Sequence, residues 1–256
     1  MGLTSISFPL YTNYSPLKNF FVLCLVLGVT YAATWFLADT PLLASIPIIL
    51  VGALALWYAR SLKLVIVYIL FALTGAAQES FFILNGLWSY GSETFLSIPL
   101  YLPFVWGNIG ILAIGVFKGI LMVDKKQKLY HEPPLFIGSC LATLAAALAT
   151  LYSLYLFSGE PLTLILALFC IDVTYAALMR SLPLALVGIV AMTCGSVGDL
   201  VSVSLGIWHY PIGVGETLAG VPPYIFIGWD IVGLLIVGFY LTLDARDAPL
   251  PRFLKD

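Results

Sequence analysis

Two carboxylates stand in stretches that are otherwise apolar enough to cross a membrane. Glu79 lies in "AAQESFFILNGLWSY" and Asp199 in "GSVGDLVSVSLGIWHY". Each acid is followed at the same spacing by a glycine (Gly86, Gly206), a tryptophan (Trp88, Trp208) and a tyrosine (Tyr90, Tyr210). A carboxyl in apolar surroundings favours its neutral, proton-bearing form, and two adjacent carboxyls resist ionising together. An aromatic face stabilises a cation by about 0.5–2 kcal/mol. Acids ringed by aromatics therefore suit protonation of an alkene or epoxide, with the resulting carbocation held on the rings. Glu79 and Asp199 are the catalytic candidates. Trp88, Tyr90, Tyr101, Trp106, Asn108, Trp208, Tyr210, Tyr224, Trp229 and Asp230 are the substrate-binding candidates. Other readings of the same residues stay open. The acids could bond neighbouring helices as structural glue, or relay a proton or ion in a carrier or channel. The aromatics could form an interfacial belt. Asp172, a further acid inside an apolar run, is equally open to a helix–helix bond or a functional role.

The rest of the chain must be a membrane bundle. Of 256 residues, 61% are hydrophobic and 9% charged, against about 25% charged in soluble domains. A span needs about 20 mostly apolar residues. Eight are expected, at roughly 19–37, 41–58, 62–87, 98–123, 135–157, 161–179, 182–206 and 221–243. The connections are short and leave no room for a soluble domain, so residues 1–256 read as a single all-α membrane domain. The start of the chain lacks the pattern of a cleaved signal peptide. All 11 Lys and Arg residues fall at one end of these spans. Asp39, Glu93, Glu160 and Glu216 fall at the other, so the positive-inside rule predicts both termini to be cytoplasmic. Cys24, Cys140, Cys170 and Cys194 sit within apolar runs and read as small helix residues.

The halves repeat. Gly75, Glu79, Gly86, Trp88 and Tyr90 match Gly195, Asp199, Gly206, Trp208 and Tyr210, each 120 residues later. Glu93, Thr94, Pro99, Tyr101 and Trp106 match Glu216, Thr217, Pro222, Tyr224 and Trp229, each 123 later. Residues 19–123 and 135–243 thus form two four-helix repeats. An even helix number keeps both in the same orientation, related by an axis along the membrane normal. Gly75, Gln78, Glu79, Phe82, Asn85 and Gly86 share one helical stripe, as do Gly195, Gly198, Asp199, Ser202 and Gly206. Small residues permit close helix approach, and intramembrane acids face the bundle interior. Glu79 and Asp199 are therefore expected at one depth, facing each other across the axis. Pro99, Pro103, Pro222 and Pro223 are expected to start or kink the fourth and eighth spans.

Several chemistries lack their residues. The two histidines, His131 and His209, cannot build a di-iron cluster. No paired Asp-rich motifs exist to hold magnesium and a diphosphate, and Asp244 and Asp247 stand isolated near the end. Lys118 is too near the cytoplasmic end to carry a retinal. No glycine loop for phosphate or serine elbow is present. No metal or cofactor is expected, and no nucleic-acid partner.

The run "GLWSYGSETFLSIPLYLPFVWGN" (86–108) resembles the signature of the small membrane lycopene cyclase domains. It is also similar to membrane carotenoid hydratases and integral-membrane meroterpenoid cyclases. In the last group a Glu of the first half and an Asp of the second form the acid pair, which Glu79 and Asp199 would match. The Pro-x-Glu-Glu of the lycopene cyclases is missing here: the corresponding stretches are "IPLYLPF" and "VPPYIFI". The resemblance covers about a third of the chain. It implies proton-initiated cyclisation or hydration of an isoprenoid without metal or redox cofactor. The competing expectations are a proton-coupled small-solute carrier or channel, and a non-catalytic lipid-binding subunit. Partners would be a hydrophobic isoprenoid or lipid substrate and the membrane lipids. Oligomeric state is not legible.

Overall fold

The computed structural model describes residues 16–92, 97–123, 136–157, 159–179, 181–211 and 217–246. Eight helices account for almost all of them: α1 Pro16–Phe36, α2 Pro41–Ala59, α3 Leu62–Leu84, α4 Leu102–Val123, α5 Phe136–Leu156, α6 Pro161–Met179, α7 Leu182–Ser204 and α8 Tyr224–Arg246. Each is long and apolar enough to cross a membrane, and the molecule is an all-α multi-pass bundle. Two short strands, β1 Ser89–Tyr90 and β2 Trp208–His209, complete it. The expected matches at Glu93, Thr94 and Glu216 lie outside the described residues, as do Lys125, Lys126, Lys128, His131, Arg180, Asp247, Arg252 and Lys255.

The first three helices begin and end 120 residues before α5, α6 and α7, and their local signals repeat at the same offset. The Ser61 hydroxyl accepts the Leu64 N–H at 3.4 Å and the Ser181 hydroxyl accepts that of Leu184 at 3.3 Å. These are N-caps that satisfy donors left over at a helix start. Gly86 and Gly206 take φ of +73° and +71°. Around them the Leu87 N–H bonds Phe82 O and the Ile207 N–H bonds Ser202 O, the 6→1 bond of a Schellman close. Helices α3 and α7 therefore stop at Leu84 and Ser204, two to three residues earlier than the apolar runs suggest. Trp88, Tyr90, Trp208 and Tyr210 leave the helices and enter a ribbon. Prolines 99, 222 and 223 precede α4 and α8 and Pro103 lies in the first turn of α4. They begin these helices, where their missing N–H costs nothing.

Helices α4 and α8 occupy the middle. Each packs against the other three helices of its own half; α4 also meets α7, α8 also meets α3, and the two touch each other. Strands β1 and β2 pair antiparallel, with Ser89 opposite His209 and Tyr90 opposite Trp208. Ser89 and His209 are counterparts in the repeat, so the ribbon pairs the two halves about a twofold relation. The opposite end of the bundle, here the basic end for its Arg60 and Lys63, is filled by a cluster that includes Leu64, Val67, Phe117, Leu184, Val187 and Tyr240.

Glycine is required at two kinds of place, and the two should separate experimentally. A Cβ on Gly86 meets open space, so Gly86→Ala incurs only the left-handed backbone penalty of about 1–2 kcal/mol. Its thermal midpoint should drop with little change in tryptophan emission, and Gly86→Asn should drop less. A Cβ on Gly75 would overlap the Trp106 ring, so Gly75→Ala should shift tryptophan emission. Equal spectral effects in both variants would contradict this division.

Candidate functional site

The stripes on α3 and α7 are seats for side chains from the central helices. Gly75 and Gly195 leave room for the indoles of Trp106 and Trp229, which come from equivalent positions of α4 and α8. The two indoles stack on each other across the centre, 5.8 Å between centroids at 17°. Four residues beyond each glycine, about one turn, sits the acid. Glu79 is 8% exposed and Asp199 5%, and the two carboxyls are near enough to interact through their charges.

Donors converge on both acids. Glu79 Oε2 accepts the Trp88 indole N–H at 2.7 Å and the Tyr90 hydroxyl at 3.1 Å, and Trp106 also faces this carboxyl. Asp199 Oδ2 accepts the Trp229 indole N–H at 2.8 Å and the Tyr210 hydroxyl at 3.5 Å. The aromatic tails are thus ligands of the acids. The ribbon then brings the two tails together: Trp88 meets Tyr210 edge-on at 6.0 Å and Tyr90 meets Trp208 at 5.6 Å. Burial, and then the nearby Glu79 and Asp199 carboxyls, hold Tyr90 and Tyr210 well above the ordinary tyrosine value of 10.0. Both phenols stay neutral donors through the physiological range. Burial, and then Asp39, push Tyr101 up as well.

Below the acids lies a cavity of about 1300 Å³. Its walls come from both halves and are overwhelmingly aliphatic and aromatic. Glu79, Asp199, Trp88, Tyr90, Trp106, Trp208, Tyr210, Tyr224 and Trp229 all line it. The Tyr224 hydroxyl is buried there without a hydrogen-bond partner among the described residues.

Three sequence candidates stand elsewhere. Tyr101 sits just before α4, off the cavity wall, in a buried cluster with Tyr90, Trp106 and Ala44 and Ile48 of α2. Asn108 is fully buried and donates to the Thr30 hydroxyl at 2.9 Å and Ile48 O at 3.1 Å, tying α4 to α1 and α2. Asp230 turns toward Gly188 of α7 and the charge of Asp172. The reason is helical phase: one residue past an inward tryptophan turns about 100°, and two turn about 200°. In the first half the positions of Asp172, Gly188 and Asp230 are Gly52, Tyr68 and Gly107, and the Tyr68 ring lies against both glycines. A tyrosine ring there thus occupies the place of a carboxyl pair. Sequence reasoning missed Thr30, Tyr31 and Thr34 of α1, which line the cavity. Thr30 has its counterpart in Thr150 of α5, which lines the cavity as well, whereas Tyr31 and Thr34 correspond to Leu151 and Leu154.

Among the described residues no group of three or more His, Cys, Asp or Glu converges in a way that could hold a metal. Cys24, Cys140, Cys170 and Cys194 are free thiols. The phenols give a direct check of the site's geometry. Tyrosinate absorbance of Tyr90→Phe and Tyr210→Phe should match that of the wild type through the ordinary tyrosine titration around pH 10, because burial and the carboxyls hold those two rings above it. Loss of one titrating phenol in either variant would show that the ring is open to water.

No family model and no curated protein matches the sequence. A solved structure does resemble the bundle, the crystal structure of a cross-linked MvINS trimer. It shares 17% identity, covers 73% of this chain and 97% of its own, and superposes with a TM-score of 0.56. The likeness is one of fold.

Proposed function

We propose that this protein is an integral membrane enzyme that cyclises or hydrates an isoprenoid by protonating an alkene or epoxide. One observation carries the reading: two buried acids, each bonded by aromatic donors, stand together at the head of a large apolar cavity. A neutral carboxyl of the pair gives its proton to the substrate. The proton forms a C–H bond with an alkene carbon, or opens an epoxide at its oxygen, and leaves a cation on the neighbouring carbon. The indoles of Trp88, Trp106, Trp208 and Trp229 face that space and stabilise the charge. A second double bond, or a water, attacks the cation. The other carboxyl, as its carboxylate, then accepts the proton released. Because the acids adjoin, one proton transfer between them restores the starting state. The fixed donors on each acid hold the carboxyls in place and cost no reorganisation during reaction.

The reading as a solute carrier draws less support. The cavity that extends from the acids toward the basic end is walled overwhelmingly by aliphatic and aromatic side chains, a lining that suits a hydrophobic chain better than a polar solute or ion. By the positive-inside rule the ribbon end, with the acid pair beneath it, faces away from the cytoplasm and both termini lie within it.

The test is turnover and bound lipid. Wild type, Glu79→Gln and Asp199→Asn are expressed in cells that make isoprenoids, purified, and their extracted lipids compared by mass spectrometry. Each variant should lower product at least about 100-fold, the scale of a lost general acid or base, and retain the precursor. Undiminished product in both variants would exclude the acid mechanism.

A further inference from the structure

The two halves differ at their outer seams. Helix α1 closes against α7 through Tyr31, whose hydroxyl donates to Cys194 O at 2.8 Å, and Trp35, whose indole N–H donates to the Ser202 hydroxyl at 3.0 Å. The Tyr31 and Trp35 rings stack at 4.9 Å and 11°. Gly198 makes this closure possible: a Cβ there would overlap the Tyr31 ring. The counterpart seam lies between α5 and α3. At the 120-residue offset, Tyr31 becomes Leu151 and Gly198 becomes Gln78. Leucine brings no hydroxyl to bond across, and glutamine occupies the notch that would admit a ring. Thr74, at the place of Cys194, turns its hydroxyl back to Leu70 O of its own helix. Phe81 and Tyr155 touch near the ribbon end, 6.0 Å apart. Below them, cavity-lining side chains lie open on the outer surface, including Leu144 at 54% and Leu148 at 57% exposure. On the sealed seam the lining residues Tyr31, Thr34, Gly195 and Gly198 are buried or half-buried.

We infer that the α3–α5 seam is a lateral mouth through which a long-chain apolar lipid enters from the bilayer, leaving its tail in the slot and its reactive end beneath Glu79 and Asp199. The cavity runs along α8 from Trp229 to Thr242, about 20 Å at the helical rise. A small solute needs no such length and no opening at hydrocarbon depth. A long polyunsaturated chain dissolved in the membrane needs both. The buried Tyr224 hydroxyl, without a partner among the described residues, is available to an oxygen on the ligand's head. That the tenant is the reactant rests on the proposed function; that the slot takes a lipid from the side does not.

The test uses the full chain in phosphatidylcholine nanodiscs and a geranylgeraniol carrying a diazirine near its tail. Photolabelled peptides should come from α3, α5 and the Leu235–Thr242 stretch of α8, with α1 and the Gly195–Gly198 turn of α7 unlabelled. Leu148→Trp and, one turn away, Leu144→Trp fill the mouth from a membrane-facing position and should cut labelling by about tenfold, equivalent to about 1.4 kcal/mol. Leu148→Ala should preserve it. Labelling spread over both seams, or unchanged in both tryptophan variants, would overturn the inference. So would a cross-link between two copies through α3 and α5 that leaves the probe unattached. Glu79→Gln separates the two proposals. It should keep the label while losing turnover; label in the slot with normal turnover would reject the acid mechanism alone.

Discussion

A carboxyl within a membrane bundle must be supplied with hydrogen-bond donors by the protein, because hydrocarbon offers none. Much of this architecture follows from meeting that demand twice. Glu79 takes its donors from the tail that follows its own helix. Asp199 takes one from its own tail and one from the central helix α8. For a tail to reach back to its acid, the helix must end sharply, and Gly86 and Gly206 provide the left-handed residue that ends it. For indoles of α4 and α8 to lie beside the acids, α3 and α7 must present no side chain there, which Gly75 and Gly195 ensure. The small-residue stripe is thus the imprint of the aromatic side chains that approach the acids.

Duplication gives the second acid with little new invention. The outer helices of the two halves have the same lengths, α3 and α7 share a serine N-cap and a left-handed glycine after their ends, and the ribbon joins the halves through counterpart residues. Two acids so placed line one cavity and feel one another's charge. The halves depart from each other in specific places. The first has Tyr68 between Gly52 and Gly107 where the second has Gly188 between Asp172 and Asp230. The first also sends Tyr31 and Trp35 across to α7, while α5 carries Leu151 and Tyr155. A strictly symmetric molecule would be open or shut on both sides. These substitutions shut one side and leave the other lined by exposed leucines.

Much of this was legible in the sequence because its signals are local or rare. Apolar length and charge placement marked eight helices, and tryptophans and glycines recurring at offsets of 120 and 123 marked the repeat. The burial of Glu79 and Asp199 followed from the cost of an exposed intramembrane charge. Less legible were relations that depend on rotation and pairing. Asn108 and Asp230 were grouped with Trp106 and Trp229 because they adjoin them in sequence, yet about 100° or 200° of helix turn sends them elsewhere. The apolar runs hid the ends of α3 and α7, since Leu87 and Ile207 continue the hydrophobic pattern beyond the left-handed glycines. Tyr31 and Trp35 escaped notice because their role lies in a contact that the other half lacks.

The central claim is that a proton from this acid pair becomes part of a lipid. It is tested most directly by incubating the purified protein in D₂O with the precursor extracted from the Glu79→Gln variant and measuring the product by mass spectrometry. Acid-initiated attack on an alkene predicts one deuterium fixed on carbon per turnover, absent from unreacted substrate and lost together with product in Glu79→Gln and Asp199→Asn. If the substrate reacts by its epoxide instead, the initiating deuterium sits on oxygen and washes out, while turnover still depends on both acids. Lipid that emerges chemically unchanged, or product formed at the wild-type rate without either acid, would contradict the account.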